Sequence, residues 1–104
     1  MTSDKLQQLF KMLEREPRDT FLLYGIGMEY KKLSDDKQAI DYFSKVIAID
    51  PNYCYAYYQM GQAHERAGAI DEARQAFQNG VEAAARAKDS KARDELQAAL
   101  DMLS

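Results

Sequence analysis

Apolar residues recur with helical spacing along the whole chain. Leu6, Leu9, Phe10 and Leu13 stand at i, i+3, i+4 and i+7, which predicts a helix over 4–14 capped by Ser3. Pro17 ends it, because the residue before a proline avoids the helical region. Asp19 or Thr20 caps a second helix, 21–33, and Ser34 or Asp35 a third, 36–49. The third carries Ala39, Ile40, Phe43, Val46 and Ile47 on one face, and Asp50-Pro51-Asn52 closes it as a turn. A fourth helix, 53–67, stops at Gly68, a residue that takes the left-handed conformation readily. A fifth starts near Ile70, passes through Ala73, Ala76, Phe77, Gly80 and Val81, and meets no proline before Arg86. Asp89 or Ser90 caps a sixth, 91–103, with Ala92, Leu96, Ala99, Leu100 and Leu103 apolar. Connections of a few residues make neighbouring helices antiparallel. No segment alternates in the manner of a strand, so the expected fold is all-α, with six helices.

The pattern also repeats at a distance. Leu23-x2-Ile26-Gly27-x2-Tyr30, Ala39-x3-Phe43 is answered further on by Tyr57-x2-Met60-Gly61-x2-His64, Ala73-x3-Phe77. Every position is displaced by one constant offset, that from Gly27 to Gly61, and Glu16-Pro17 and Asp50-Pro51 keep it too. A glycine inside a helix costs about 1 kcal/mol against alanine, so Gly27 and Gly61 imply close packing at a helix crossing. Ala39 and Ala73 do the same for the next helix, and Phe43 and Phe77 fill the space between successive helix pairs.

These residues resemble the tetratricopeptide repeat (TPR), a helix–turn–helix motif with Leu-Gly and Tyr in its first helix and Ala, Phe and a closing Pro later. The resemblance implies an α-α superhelix in a single domain, 1–104. It divides into a half-repeat helix (4–16), repeat one (20–53), repeat two (54–87) and a capping helix (88–104). Three departures stand out. Leu23 and Tyr57 occupy the position often held by Trp, His64 replaces the tyrosine, and Ala85 replaces the closing proline, so the fifth helix is expected to run on. Asp4, Lys5, Gln8 and Lys11 at one end, and Lys91, Arg93, Asp94 and Gln97 at the other, supply polar outward faces.

Composition narrows the function. At 46% apolar and 30% charged residues the chain reads as a folded domain. A net charge of −3, with no basic cluster, argues against nucleic-acid binding. No apolar run reaches membrane-spanning length, and Met1-Thr2-Ser3-Asp4-Lys5 lacks a signal core, which predicts a cytoplasmic location. Cys54 is alone, so no disulfide framework exists within the chain. His64 has no partner set for zinc and is read as packing at a helix crossing. Cys54 begins a helix, where a thiol pKa tends to fall, yet an inert filler is the plainer reading. Gly25-x-Gly27 lies inside a helix and is no phosphate loop. Asp35, Asp36, Asp71 and Glu72 sit at helix starts, as caps rather than an acid–base pair. The expectation is a non-enzyme with no metal and no cofactor.

In TPR arrays the first helix of each repeat lines a concave face. The resemblance therefore implies a groove built from Phe21, Tyr24, Met28 and Lys32, then Tyr55, Tyr58, Gln59, Gln62 and Arg66. Aromatic anchors, amides and a basic end suit an extended peptide or a partner helix. The Lys/Asn clamp that some members use for acidic chaperone tails is absent, because Tyr24, Met28 and Gln59 hold those places. Two alternatives stay open. Tyr55 and Tyr58 can pack against the sixth helix, or the chain can be a homo-oligomerisation module using the groove, the Tyr55/Tyr58 patch or an exposed Leu96/Leu100/Leu103 edge.

Overall fold

The computed structural model describes residues 3–103. The ends of the expected domain, Met1, Thr2 and Ser104, lie outside the described residues. Six helices follow in order: α1 (Asp4–Arg15), α2 (Thr20–Lys32), α3 (Asp36–Ile49), α4 (Cys54–Arg66), α5 (Ile70–Arg86) and α6 (Ser90–Asp101). Among the described residues there is no strand.

The helix starts follow the capping rule. The side chains of Ser3, Asp19, Asp35 and Asp89 accept the backbone N–H groups of Leu6, Leu22, Gln38 and Ala92 at 3.0–3.2 Å. Tyr53 and Ala69, which begin α4 and α5, make no such bond. Three helices end alike. The N–H groups of Asp35, Ala69 and Asp89 reach back to the carbonyls of Tyr30, His64 and Ala84, with Ser34 (φ 61), Gly68 (φ 80) and Lys88 (φ 56) left-handed in between. Only Gly68 occupies that conformation without a Cβ penalty.

As expected from Ala85, α5 runs on, to Arg86. The extra turn has a use. The Arg86 guanidinium donates to the Asn52 side chain at 2.8 Å and to the Pro51 carbonyl at 3.1 Å. The buried Tyr57 hydroxyl donates to that same carbonyl at 2.8 Å. The turn between α3 and α4 is thereby held from two sides.

The helices form two layers. α4 touches both α2 and α6, whereas the backbones of α1, α3 and α5 approach only helices of the other layer. Helices on the inner side of a curved array lie closer together than those outside, so α2, α4 and α6 form the inner layer. The molecule is 37 × 29 × 18 Å, its short axis matching two layers of helices.

The core sits between the layers. Phe43 and Phe77 are fully buried. A Cβ on Gly27 would fall 2.6 Å from the Phe43 ring, and one on Gly61 would strike Phe77. The ring thus enters the crossing of its own hairpin. Gly80 repeats the arrangement against Leu96, 2.6 Å from a built Cβ. Gly27–Phe43, Gly61–Phe77 and Gly80–Leu96 share one spacing along the chain. This overturns one expectation: Leu96 is fully buried, and Leu100 and Leu103 pack partly against the same core, so the three do not form an exposed edge. The outward residues of α1 and α6, among them Lys5, Gln8, Lys91 and Arg93, are exposed.

Candidate interaction groove

On the inner layer, α2 and α4 run parallel, since each is antiparallel to α3 between them. Their N-termini share one edge of the face and their C-termini the other. Phe21 opens the face at the N-terminal edge, 75% exposed. Tyr24 is half-buried, with ring centroids 5.6 Å from Phe43 and 5.1 Å from Tyr53, and it hydrogen-bonds Gln59 across the layer. Burial raises the Tyr24 phenol above its ordinary value, with the Gln59 bond opposing. Met28 is half-buried and Lys32 exposed further along α2.

On α4, Tyr55 and Tyr58 meet edge-on at 6.3 Å, and Tyr58 leans on Phe77 at 6.1 Å. The Tyr55 hydroxyl donates to the Glu95 carboxylate of α6 at 3.1 Å. The competing sequence reading, contact with the sixth helix, is therefore realised for Tyr55. Gln59 and Gln62 are half-buried, and Arg66 is exposed with Nη2 3.6 Å from the Asp36 carboxylate.

One residue that the sequence reading passed over joins the two helices. Lys31 Nζ donates to the side-chain oxygens of Gln59 and, at 2.6 Å, Gln62. Its pKa is lowered, chiefly by burial and then by Arg66, while Asp36 opposes. The signal was present: Lys31 continues Tyr24 and Met28 at i+7 and i+3, on the same face. Lys5, Met28, Glu29, Lys31, Lys32 and Arg66 surround a cleft of about 510 Å³ at the C-terminal edge.

The remaining candidate chemistry is quiet. Among the described residues, no group of three or more His, Cys, Asp or Glu side chains could hold a metal ion. Cys54 is buried and its thiol donates to the Asn52 carbonyl at 3.3 Å. Burial, then Asp89, pushes that thiol up, overriding the lowering expected at a helix start. Among the described residues, no helix is long and apolar enough to cross a membrane.

Known proteins agree with this architecture. The family model for the tetratricopeptide repeat matches residues 21–53, and a second tetratricopeptide repeat model matches 42–75. The TPR repeat-containing protein PA0015 of Pseudomonas aeruginosa is 30% identical over 91 residues, covering 88% of this chain and 87% of that protein. The chain belongs to the tetratricopeptide repeat family. A TPR domain protein from Salinibacter ruber, solved by NMR, is 31% identical with a TM-score of 0.75, covering 81% of this chain and 85% of its own. Protein BPP2914 from Bordetella parapertussis is 26% identical with a TM-score of 0.83, covering 99% of this chain and 89% of its own, so the likeness takes in α1 and α6. TPR domains are in general non-catalytic scaffolds that mediate contacts between proteins.

Proposed function

We propose that this TPR chain is a cytoplasmic, non-catalytic module that binds an extended peptide or a partner helix on the face of α2 and α4. In this reading α2–α3 and α4–α5 are the two full repeats, α1 is a half repeat and α6 a cap. The carrying observation is Phe21: a phenylalanine 75% exposed at the rim of a face that already holds Tyr24, Met28 and the amides of Gln59 and Gln62. Burying a Phe side chain is worth roughly 2–3 kcal/mol, which a partner would recover. The half-buried amides are suited to hydrogen-bond a peptide backbone.

Phe21→Ala is the sharper test than a Tyr24 change, because Tyr24 also packs on Phe43. The variant is expected to keep its helicity and melting temperature while losing about tenfold or more in affinity for captured partners, the scale of an interface anchor. Partner affinity unchanged in the folded variant would count against the groove.

A second copy of the chain is the competing occupant, favoured by Met102 at the end of α6, 85% exposed. Size-exclusion chromatography with light scattering decides between them. A monomer at all concentrations removes self-assembly, and a dimer that Phe21→Ala dissociates replaces the peptide reading.

A further inference from the structure

The cleft at the C-terminal edge has a charge imbalance. Of its cations, Lys5 lies 3.9 Å from the buried Glu29 carboxylate, and Arg66 3.6 Å from that of Asp36. Lys31 and Lys32 make no ion pair among the described residues. A helix C-terminus favours cations, which accounts for basic residues in the last turn of α2. It does not account for where Lys31 goes. Instead of extending into water, its ammonium crosses to α4 and bonds two neutral amides. Its hydrogen bonds go only to neutral acceptors, with the Asp36 carboxylate acting on it through space, and such a partly desolvated charge gains from an arriving anion. Lys32 and Arg66 stand at equivalent places in the two repeats and both line the cleft. The Met28 side chain in the same wall asks for an apolar neighbour on whatever brings the anion.

Resting on the groove reading, we infer that Lys31, Lys32 and Arg66 form a carboxylate seat, and that the occupant is an acidic peptide whose Asp or Glu side chain enters it. The guanidinium of Arg66 offers a planar fork that a carboxylate accepts in two parallel bonds. As Lys31 turns to the carboxylate, the Gln59 and Gln62 oxygens lose their donor and become acceptors for peptide N–H groups. Charge recognition and backbone recognition are therefore coupled through Lys31. The seat lies in the last turns of α2 and α4, not at the Tyr24, Met28 and Gln59 positions where other TPR domains carry a clamp.

A random-peptide display library selected on the full chain tests this. Peptides selected by the native protein are expected to be enriched in Asp and Glu, and to bind more weakly as salt rises. They are expected to bind the Lys31→Met/Lys32→Met variant roughly tenfold more weakly, the loss of a charge-assisted hydrogen bond. Lys32→Gln alone, at an exposed position, keeps the test valid if the double variant unfolds. Affinity is expected to survive amidation of the peptide C-terminus, and its loss on amidation would overturn the side-chain assignment. Binders that depend on Phe21 but are neutral, or that bind the lysine variants equally, sink the seat and leave the groove standing. No binders at all sinks both.

Discussion

At the residue scale, two glycines two positions apart in one helix do opposite things. A Cβ on Gly25 would meet only the Leu9 side-chain tips at 3.7–3.8 Å, ordinary contact. A Cβ on Gly27 would press into the Phe43 ring at 2.6 Å, and that ring is fully buried with nowhere to retreat. Gly25→Ala should therefore stabilise the protein by about 0.5–1 kcal/mol through helix propensity. Gly27→Ala gains the same propensity but incurs an overpacking cost of about 1–3 kcal/mol, so a net loss is expected. Urea denaturation of both variants checks the contrast, and a shared direction of shift would refute it. The echo between the two repeats singled out Gly27 and left Gly25 aside, as the structure does.

At the scale of elements, the hairpin α4–α5 is built like α2–α3 without its two side-chain caps: Tyr53 stands where Asp19 caps α2, and Ala69 where Asp35 caps α3. Asp35 (φ −96, ψ 78) caps α3 through its side chain, while its counterpart Ala69 (φ −89, ψ 73) has the same backbone and nothing to offer the first free N–H groups of α5. Ala69→Ser should supply the missing acceptor and raise stability by about 1 kcal/mol. A melting midpoint that stays put or falls would show that some other group already meets the need. Helix extents were legible where an end has a chemical mark: the caps at Ser3, Asp19, Asp35 and Asp89, and the stops at Gly68, Pro17 and Pro51. The overrun of α5 was legible from the missing proline at Ala85. The grip of Arg86 on Pro51 and Asn52 was not, because it joins residues about one repeat apart through a single side chain.

At the scale of the whole molecule, burial sets the response to alkali. Tyr24, Tyr30, Tyr53, Tyr55, Tyr57 and Cys54 are all raised above their ordinary values, 10.0 for the phenols and 9.0 for the thiol, chiefly because the charged forms lose water. The folded chain holds protons that the unfolded chain has released. The resulting stability is present below those ordinary values and is lost as pH rises through the folded ones. Lys31, lowered from 10.5, runs the other way, its penalty fading as pH climbs. Six groups oppose one, so the melting temperature should drop between pH 8 and pH 11. Tyrosinate absorbance should develop at higher pH in the native protein than in urea. Coincident titrations would contradict this. The architecture that produces this burial was readable from the chain alone. Hydrophobic spacing, caps and the repeat period determine helices, hairpins and stacking, because each is a local or strictly periodic rule. The tertiary structure decided what no period encodes. It sank Leu96 against Gly80, tied Tyr55 to Glu95 and turned Lys31 rather than Lys32 across the groove. Each depends on which neighbour the stacking brings within about 3 Å of a side-chain tip, and spacing along a sequence carries no record of that distance.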